Sequence, residues 1–117
     1  MGLDFDRLRE VNDIRGLEWI GDHEMNCEDL LFRATELGGE AGEAQNEIKK
    51  YARTLKGMVG GISYETALEK IADELADVII CCDRVASFMD IDLSEAVVRK
   101  FNKTSEKNGL KTVFTDD

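Results

Sequence analysis

The sequence predicts an all-α protein, an antiparallel helical bundle of about four helices formed by a single domain over residues 1–117. Two long segments, 27–56 and 64–89, repeat apolar residues at alternating steps of three and four, the period of a helix with one buried face. A glycine-containing turn at 57–61 joins them, and such short connections favour antiparallel neighbours. The composition agrees, because proline is absent and aromatic residues make up only 7% of the chain.

The first predicted helix covers residues 4–15. We expect it to end at Gly16, because glycine is common just past the C-terminus of a helix. Residues 17–25 then lose the helical period, which predicts a loop or irregular turn that contains the single tryptophan, Trp19, and the single histidine, His23. The apolar residues of this first helix are Phe5, Leu8, Val11 and Ile14.

The second predicted helix covers residues 27–56, with Asn26 as its N-cap. Three glycines interrupt it, and each costs roughly 1 kcal/mol relative to alanine in a helix interior. We expect them to let a ligand or a neighbouring helix approach the backbone, and a kink or π-bulge is the alternative. These glycines are Gly38, Gly39 and Gly42, and the buried stripe is Leu30, Ala34, Leu37, Ala41, Ala44, Ile48, Tyr51 and Leu55.

Two further helices complete the prediction. Ser63 is expected to cap the third helix, 64–89. Its VIICC run at 78–82 has strand propensity, but the flanking helical period overrules a strand. A capping-box-like pair, Asp92 and Glu95, opens the fourth helix over residues 93–107.

The charge balance excludes several partners. The net charge of −10 argues against bare binding to nucleic acid or to an anionic membrane surface, so an anionic ligand would need metal ions as intermediaries. No signal peptide and no apolar run of membrane-spanning length is recognisable. The cysteines indicate no disulfide framework, and together these features predict a reducing, cytoplasmic compartment.

Two pairs of carboxylates, each at positions i and i+3, stand on the two long helices: Glu40 with Glu43, and Glu74 with Asp77. Residues three apart share one helix face. Each of these acids comes one residue before a member of the apolar stripe of its helix. Antiparallel packing of the two helices therefore places both pairs on the same side of the hairpin. The mean of the residue numbers of the two pairs falls within the 57–61 turn, so the pairs also lie at the same height along the two antiparallel helices. Carboxylates without an accompanying histidine favour Mg²⁺ or Mn²⁺ over a di-iron centre.

Other side chains near these acids have more than one interpretation. Either acidic pair alone is more often a solvated helix face than a site, and the matching offset and register are what favour a metal centre. Trp19 is either a core residue or a base-stacking platform. The basic and amide residues are either solubilising charge or ligands of an anion; they are Asn46, Lys49, Lys50 and Arg53 on the second helix, and Lys100, Asn102 and Lys103 on the fourth.

Three blocks of sequence carry a family resemblance: GEAGEAQNEIKKYAR at 39–53, DELADVIICCDRVA at 73–86 and LSEAVVRKFNKTSEKNG at 93–109. They resemble the MazG-like nucleotide pyrophosphohydrolases, the all-α NTP pyrophosphatase group. That family's signature is ExxE, a linker and ExxD, matched here by Glu40, Glu43, Glu74 and Asp77. The resemblance implies an all-α fold, obligate oligomers, Mg²⁺, and hydrolysis of nucleoside triphosphates to monophosphate and pyrophosphate.

The resemblance and the residue chemistry together suggest roles. The four signature acids would hold Mg²⁺, or Mn²⁺, to neutralise the triphosphate and activate a water for attack at the α-phosphorus. Glu36 or Glu47 would orient that water or act as base. The expected substrate ligands are Lys50, Arg53 and Lys100 for the leaving pyrophosphate, Asn46 and Asn102 for hydrogen bonds, and Trp19 for stacking on the base.

Alternatives to this function stay open. The same site could cleave another phosphorylated nucleotide such as an alarmone, or the chain could be a non-enzymatic acidic bundle that binds a partner or metal. The five consecutive apolar side chains at 78–82 project in most directions from the axis of their helix. Other helices or a partner subunit must therefore cover this helix on several sides. We expect a homodimer or homotetramer with part of the 78–89 surface at the interface, and with Trp19 or Lys100 reaching across it.

Overall fold

The protein is all-helical in the computed structural model, which describes residues 2–115. Within that range there are four helices and no strand, so the all-α prediction is confirmed. None of these helices has both the length and the apolar character that crossing a membrane requires. The helices are α1 (Phe5–Ile20), α2 (Cys27–Leu55), α3 (Tyr64–Phe88) and α4 (Leu93–Lys107).

Side-chain caps fix where these helices begin, and the predicted caps of α2 and α3 are confirmed. At α2, the Asn26 side chain accepts from the Asp29 N–H at 3.1 Å, and the Asp29 carboxylate accepts from the Asn26 N–H at 2.9 Å. This reciprocal pair is a capping box. At α3, the Ser63 hydroxyl accepts from the Thr66 N–H at 3.2 Å. Asp92 likewise accepts from the backbone at the start of α4.

Helices α2 and α3 form an antiparallel hairpin, which is the largest helix contact of the fold. Near the start of α2, Arg33 donates to the carbonyl of Arg84 late in α3 at 2.7 Å. At the other end, the rings of Tyr51 and Tyr64 lie 5.9 Å apart. Residue numbers therefore rise along one helix as they fall along the other, as the short connection predicts.

A polar cluster attaches α1 to α3. Asp83 is fully buried, and its carboxylate accepts from Arg9 Nε at 2.8 Å and from Asn12 Nδ2 at 3.0 Å. The Asn12 amide also donates to the carbonyl of Ile80 at 3.2 Å, and Arg9 Nη2 donates to the carbonyl of Ile91 at 2.7 Å. Each oxygen of this buried acid thus has a donor, as burial of a charge requires. We call this cluster the Asp83 hub.

The predicted end of the first helix at Gly16 is wrong, because α1 continues to Ile20. Gly16 is buried against α3, where a Cβ would lie only 2.5 Å from the guanidinium of Arg84. The glycine therefore permits close approach of a side chain rather than ending the helix. The helix ends instead at Gly21, whose φ of 79° is in the left-handed region and whose N–H donates to the Leu17 carbonyl. Trp19 consequently lies on a helix and not in the predicted loop.

The single chain buries little apolar surface. Among residues 2–115 the buried hydrophobic side chains are the alanines Ala44, Ala67 and Ala86. The accessible surface is 8959 Å², whereas roughly 6,400 Å² is typical of a folded monomer of 13.1 kDa. The radius of gyration, 17.6 Å, likewise exceeds the roughly 13 Å of a compact domain of this length. Much apolar surface is therefore left without cover in the isolated chain.

Candidate metal centre and adjoining cavity

The two predicted acidic pairs meet across the α2–α3 hairpin. Carboxylate oxygens of Glu40, Glu74 and Asp77 all lie within 4.8 Å of one another. Glu43 lies one helical turn after Glu40 on α2, and its charge contributes to raising the pKa of both Glu40 and Glu74. The equal offset of each pair from its apolar stripe produces this convergence once the helices pack antiparallel. Oxygens around one Mg²⁺ lie up to about 4 Å apart, so small side-chain movements would close the group on an ion.

Electrostatic strain is concentrated in these carboxyl groups. Desolvation, followed by the charges of Glu43 and Asp77, raises the pKa of Glu40 from 4.5 to about 7. Desolvation first, then the nearby Glu43, also raises the pKa of Glu74. Carboxylates that share a small volume repel one another, so each makes its neighbour harder to ionise. A cation or a shared proton would relieve this repulsion.

Three carboxylate oxygens in this region are buried without a hydrogen-bond partner among residues 2–115: Glu40 Oε2, Glu74 Oε2 and Glu47 Oε2. Two of them belong to the converging group. A buried acceptor without a donor normally costs free energy, so such atoms usually mark an interaction with something beyond the chain itself. Because the atoms that could bind a metal are all hard carboxylate oxygens, the group of Glu40, Glu74 and Asp77 fits Mg²⁺ or Mn²⁺. Glu47 differs, since its other oxygen accepts from Lys50 at 3.1 Å.

A cavity of about 480 Å³ adjoins the acids, between α1, α2 and α3. Its volume is within the range of small-molecule sites. Glu36, Glu40 and Asp77 form part of its wall, so the predicted catalytic residue Glu36 faces the same space as two of the predicted metal ligands. The apolar wall includes Trp19, Phe32, Ile20 and Ile80.

Cys81 also lines the cavity, one helical turn beyond Asp77. Burial, together with the charges of Glu36 and Glu40, raises the pKa of the Cys81 thiol to about 11. The thiol therefore stays protonated at neutral pH and contributes no charge to the site. The carboxylates that face the cavity offer only oxygen atoms, which would favour a hard cation.

Sequence analysis did not identify the arginines of this cavity, which are Arg15, Arg33 and Arg84. Arg33 precedes Glu40 by about two helical turns, and Arg84 follows Asp77 by the same interval. Both arginines therefore lie on the helix faces that carry the acids. That spacing was a usable signal, although it does not reveal the tertiary contacts, which join Arg33 to α3 and Arg84 to α1. The cavity thus has an acidic side and a basic side.

Of the predicted substrate ligands, Trp19 alone lines the cavity, and this residue is 76% exposed. Asn46 is exposed on α2, Lys50 pairs with Glu47, and Arg53 packs beside Gly60 of the turn. These three residues lie on α2 beyond the acids, and none of them forms part of the cavity wall.

The predicted ligands on α4 are also outside the cavity, because α4 packs chiefly against α1. Lys100 is exposed on this helix. The amide of Asn102 is engaged by the backbone of Phe114, donating to its carbonyl at 3.0 Å and accepting from its N–H at 2.8 Å. An edge-to-face contact between Phe101 and Phe114 also holds the C-terminal segment on α4. Within one chain, Asn102 therefore serves the fold.

Comparison of the chain with protein-family models, with curated proteins and with solved structures found no match. The chemistry open to the site is therefore inferred from its own atoms. These are three clustered carboxylates, two of which have a buried oxygen without a hydrogen-bond donor among residues 2–115, and an adjoining cavity with aromatic and arginine side chains that is large enough for a small molecule.

Proposed function

We propose that this protein is a Mg²⁺-dependent, MazG-like nucleoside triphosphate pyrophosphohydrolase. It hydrolyses the α–β bond of a ribo- or deoxyribonucleoside triphosphate to the monophosphate and pyrophosphate. One observation carries the proposal: the two i, i+3 carboxylate pairs converge beside a cavity that also presents aromatic and guanidinium groups. Carboxylates by themselves repel a triphosphate, so their position beside this cavity is explained best by a cation between them and the ligand.

In this proposal Glu40, Glu43, Glu74 and Asp77 hold the ion, for which Mg²⁺ fits best and Mn²⁺ is the alternative. The bound ion would supply charge neutralisation for the phosphates and a more acidic water. Glu36 lies on the cavity wall outside the ligand set, which suits it to accept the proton of the attacking water. We prefer it to Glu47, which already pairs with Lys50.

Trp19 and Phe32 give the cavity two aromatic walls on different helices, α1 and α2. A nucleobase offers an apolar face to stack on such rings, and stacking tolerates any base. We assign the aromatic side of the cavity to the base, which leaves the acidic side for the α-phosphate.

The uncovered surface of the chain supports a homodimer or homotetramer. The excess over a typical monomer, roughly 2,500 Å², is of the size that an obligate interface removes from each protomer. On α3, Leu68, Leu75 and Ile79 form one exposed apolar row and are each about half exposed. A partner subunit would cover this row at a considerable gain in hydrophobic free energy.

An assay of pyrophosphate release tests the enzymatic proposal. A panel of canonical and modified nucleoside triphosphates, with Mg²⁺ present, should yield monophosphate and pyrophosphate for at least one member, and chelation should abolish release. Cleavage of an alarmone alone would assign the site to another phosphorylated nucleotide. No turnover across the panel, with Mg²⁺ still bound, would make the chain a metal-binding helical module instead.

Light scattering tests the assembly. We expect a mass of at least twice 13.1 kDa at micromolar concentration. Ile79→Glu places a charge in the exposed apolar row and should split the assembly. Ile80 is less suitable for this test, because it is half-buried and lines the cavity. A stable, active monomer would contradict the proposal.

A further inference from the structure

Arg33 is a buried cation without a carboxylate partner in the described part of the chain. It is only 5% exposed, and none of the ion pairs within residues 2–115 includes it. Its guanidinium donates to the Arg84 carbonyl at 2.7 Å, contacts the Met25 sulfur at 3.7 Å and lies 5.9 Å from the centre of the Phe88 ring. No carboxylate in the described residues lies within ion-pair distance of this guanidinium. The more distant carboxylates of Asp13, Asp29 and Glu36 compensate its charge only in part, because burial still lowers its pKa. The guanidinium nevertheless stays protonated.

The surroundings of Arg33 disfavour its positive charge. Burial, and then the neighbouring Arg84 guanidinium, lower the pKa of Arg33. Arg84 itself is held only loosely by Asp13, at 3.4 Å. Both arginines line the cavity that also contains Glu40 and Asp77. A second cation next to a buried, unpaired one is unfavourable unless an anion joins them.

We infer that Arg33, assisted by Arg84, binds the terminal diphosphate of the substrate, which leaves as pyrophosphate. The inference rests on the proposed function, which puts the α-phosphorus beside Glu40 and Asp77. The β- and γ-phosphates carry most of the charge of a triphosphate, and the planar guanidinium fork matches two phosphate oxygens. Arg33, which is buried, and Arg84, which is partly buried, thereby take the role predicted for Lys50, Arg53 and Lys100, none of which lines the cavity.

Binding of inorganic pyrophosphate in the presence of Mg²⁺, measured by calorimetry on the intact chain, tests this directly. Arg33→Gln keeps a donor for the Arg84 carbonyl but removes the charge, so pyrophosphate affinity should fall by at least about 10-fold. Affinity for a nucleoside monophosphate should change by less than about 2-fold, because it lacks the terminal groups. Arg7→Gln is the matched control, since Arg7 is exposed on α1 and lies outside the cavity.

A second measurement does not depend on the stability of the variant. In the wild-type protein, the Arg33 Nε–H resonance, assigned by its loss in Arg33→Lys, should shift on titration with Mg²⁺-pyrophosphate. An unmoved resonance, or unchanged pyrophosphate affinity in folded Arg33→Gln, overturns the inference even if nucleotides are hydrolysed. If no nucleotide is hydrolysed, the proposed function fails. A specific loss of pyrophosphate affinity in Arg33→Gln would still support an anion site at Arg33.

Discussion

Helix α3 carries two groups of acidic side chains that differ in how their charge is compensated. Asp83, completely buried, receives hydrogen bonds from Arg9 and Asn12. About two turns earlier, Glu74 and Asp77 meet Glu40 with no cation at hand, and the buried Oε2 atoms of Glu74 and Glu40 have no donor among residues 2–115. The more deeply buried acid is thus the better satisfied one.

The difference separates a structural acid from a candidate functional acid. The hydrogen bonds that Asp83 accepts from Arg9 and Asn12 hold α1 against α3. Buried acids without hydrogen-bond donors, in contrast, destabilise the folded chain unless something else binds them. The Asp83 hub should therefore respond to mutation through stability. The acidic cluster of Glu40, Glu43, Glu74 and Asp77 should respond through metal binding and activity.

The largest effect is expected at the acidic cluster. Glu74→Gln or Asp77→Asn removes one ligand charge and little packing, so turnover should fall by about 100-fold or more, which corresponds to the several kcal/mol that a metal can contribute. Helix content by circular dichroism should stay the same. The melting temperature without metal should rise or stay level, because repulsion among the acids decreases.

Glu69→Gln is the matched control for these amide variants, since Glu69 is an exposed acid on the same helix and does not belong to the cluster. It should retain activity and Mg²⁺ dependence. Wild-type turnover in both amide variants, with the same Mg²⁺ dependence, would end the metal proposal.

The Asp83 hub should show the opposite behaviour. Asp83→Ala removes the carboxylate that accepts from Arg9 and Asn12, and we expect a loss of about 2–4 kcal/mol in the free energy of unfolding. Denaturant titration measures that loss. Mg²⁺ affinity of the remaining folded protein should be unchanged. Weakened metal binding with unaltered stability would remove the distinction between the two acid groups.

The meeting of the carboxylates could be predicted because it follows from local rules. The acids keep a fixed offset from each apolar stripe, and a short turn leaves antiparallel packing as the simple outcome. The caps at Asn26 and Ser63 could be predicted for the same reason, since a cap depends on residues within one turn.

Features that depend on a third helix could not be predicted in this way. Gly16 has the sequence signature of a helix end, but its role is set by Arg84 on α3. Arg33 looks like an ordinary surface arginine, and its burial comes from contacts with Arg84 and Phe88 on α3 and with Met25. The ligands expected on α4, Lys100 and Asn102, required a placement of α4 beside the cavity that no local pattern encodes.

Substitution of Trp19 tests whether the cavity beside the acidic cluster binds the base of the substrate. If its ring stacks on a base, Trp19→Ala should raise KM by about 5-fold or more, the equivalent of the 1 kcal/mol or more measured for such stacking. Stability should change little, because Trp19 is 76% exposed. Leu17→Ala is the control, since Leu17 is an exposed apolar residue of α1 outside the cavity. A lowered melting temperature with unchanged KM would place Trp19 in a protein interface.

The smallest effect concerns pH in the absence of metal. The pKa of Glu40 is raised from 4.5 to about 7, so between these values the folded chain binds more protons than the unfolded chain. The free energy of unfolding should then decrease as the pH rises through this range, and the contribution of Glu40 should be fully lost above about 7. Thermal melts in chelator at stepwise pH measure this slope.

Glu40→Gln isolates the contribution of this one residue. The variant cannot ionise at position 40, so its melting temperature should fall less between pH 5 and 7.5 than that of the wild type, while exposed Glu65→Gln should match the wild type. Asp29 does not contribute to the slope between pH 5 and 7.5, because the hydrogen bond that it accepts from the Asn26 backbone lowers its pKa, away from that range. Adding Mg²⁺ at pH 8 should stabilise the wild type more than Glu40→Gln, since the ion binds the ionised folded state. Equal slopes in the two proteins would mean that the acids are not strained and that the contrast with Asp83 has no energetic basis.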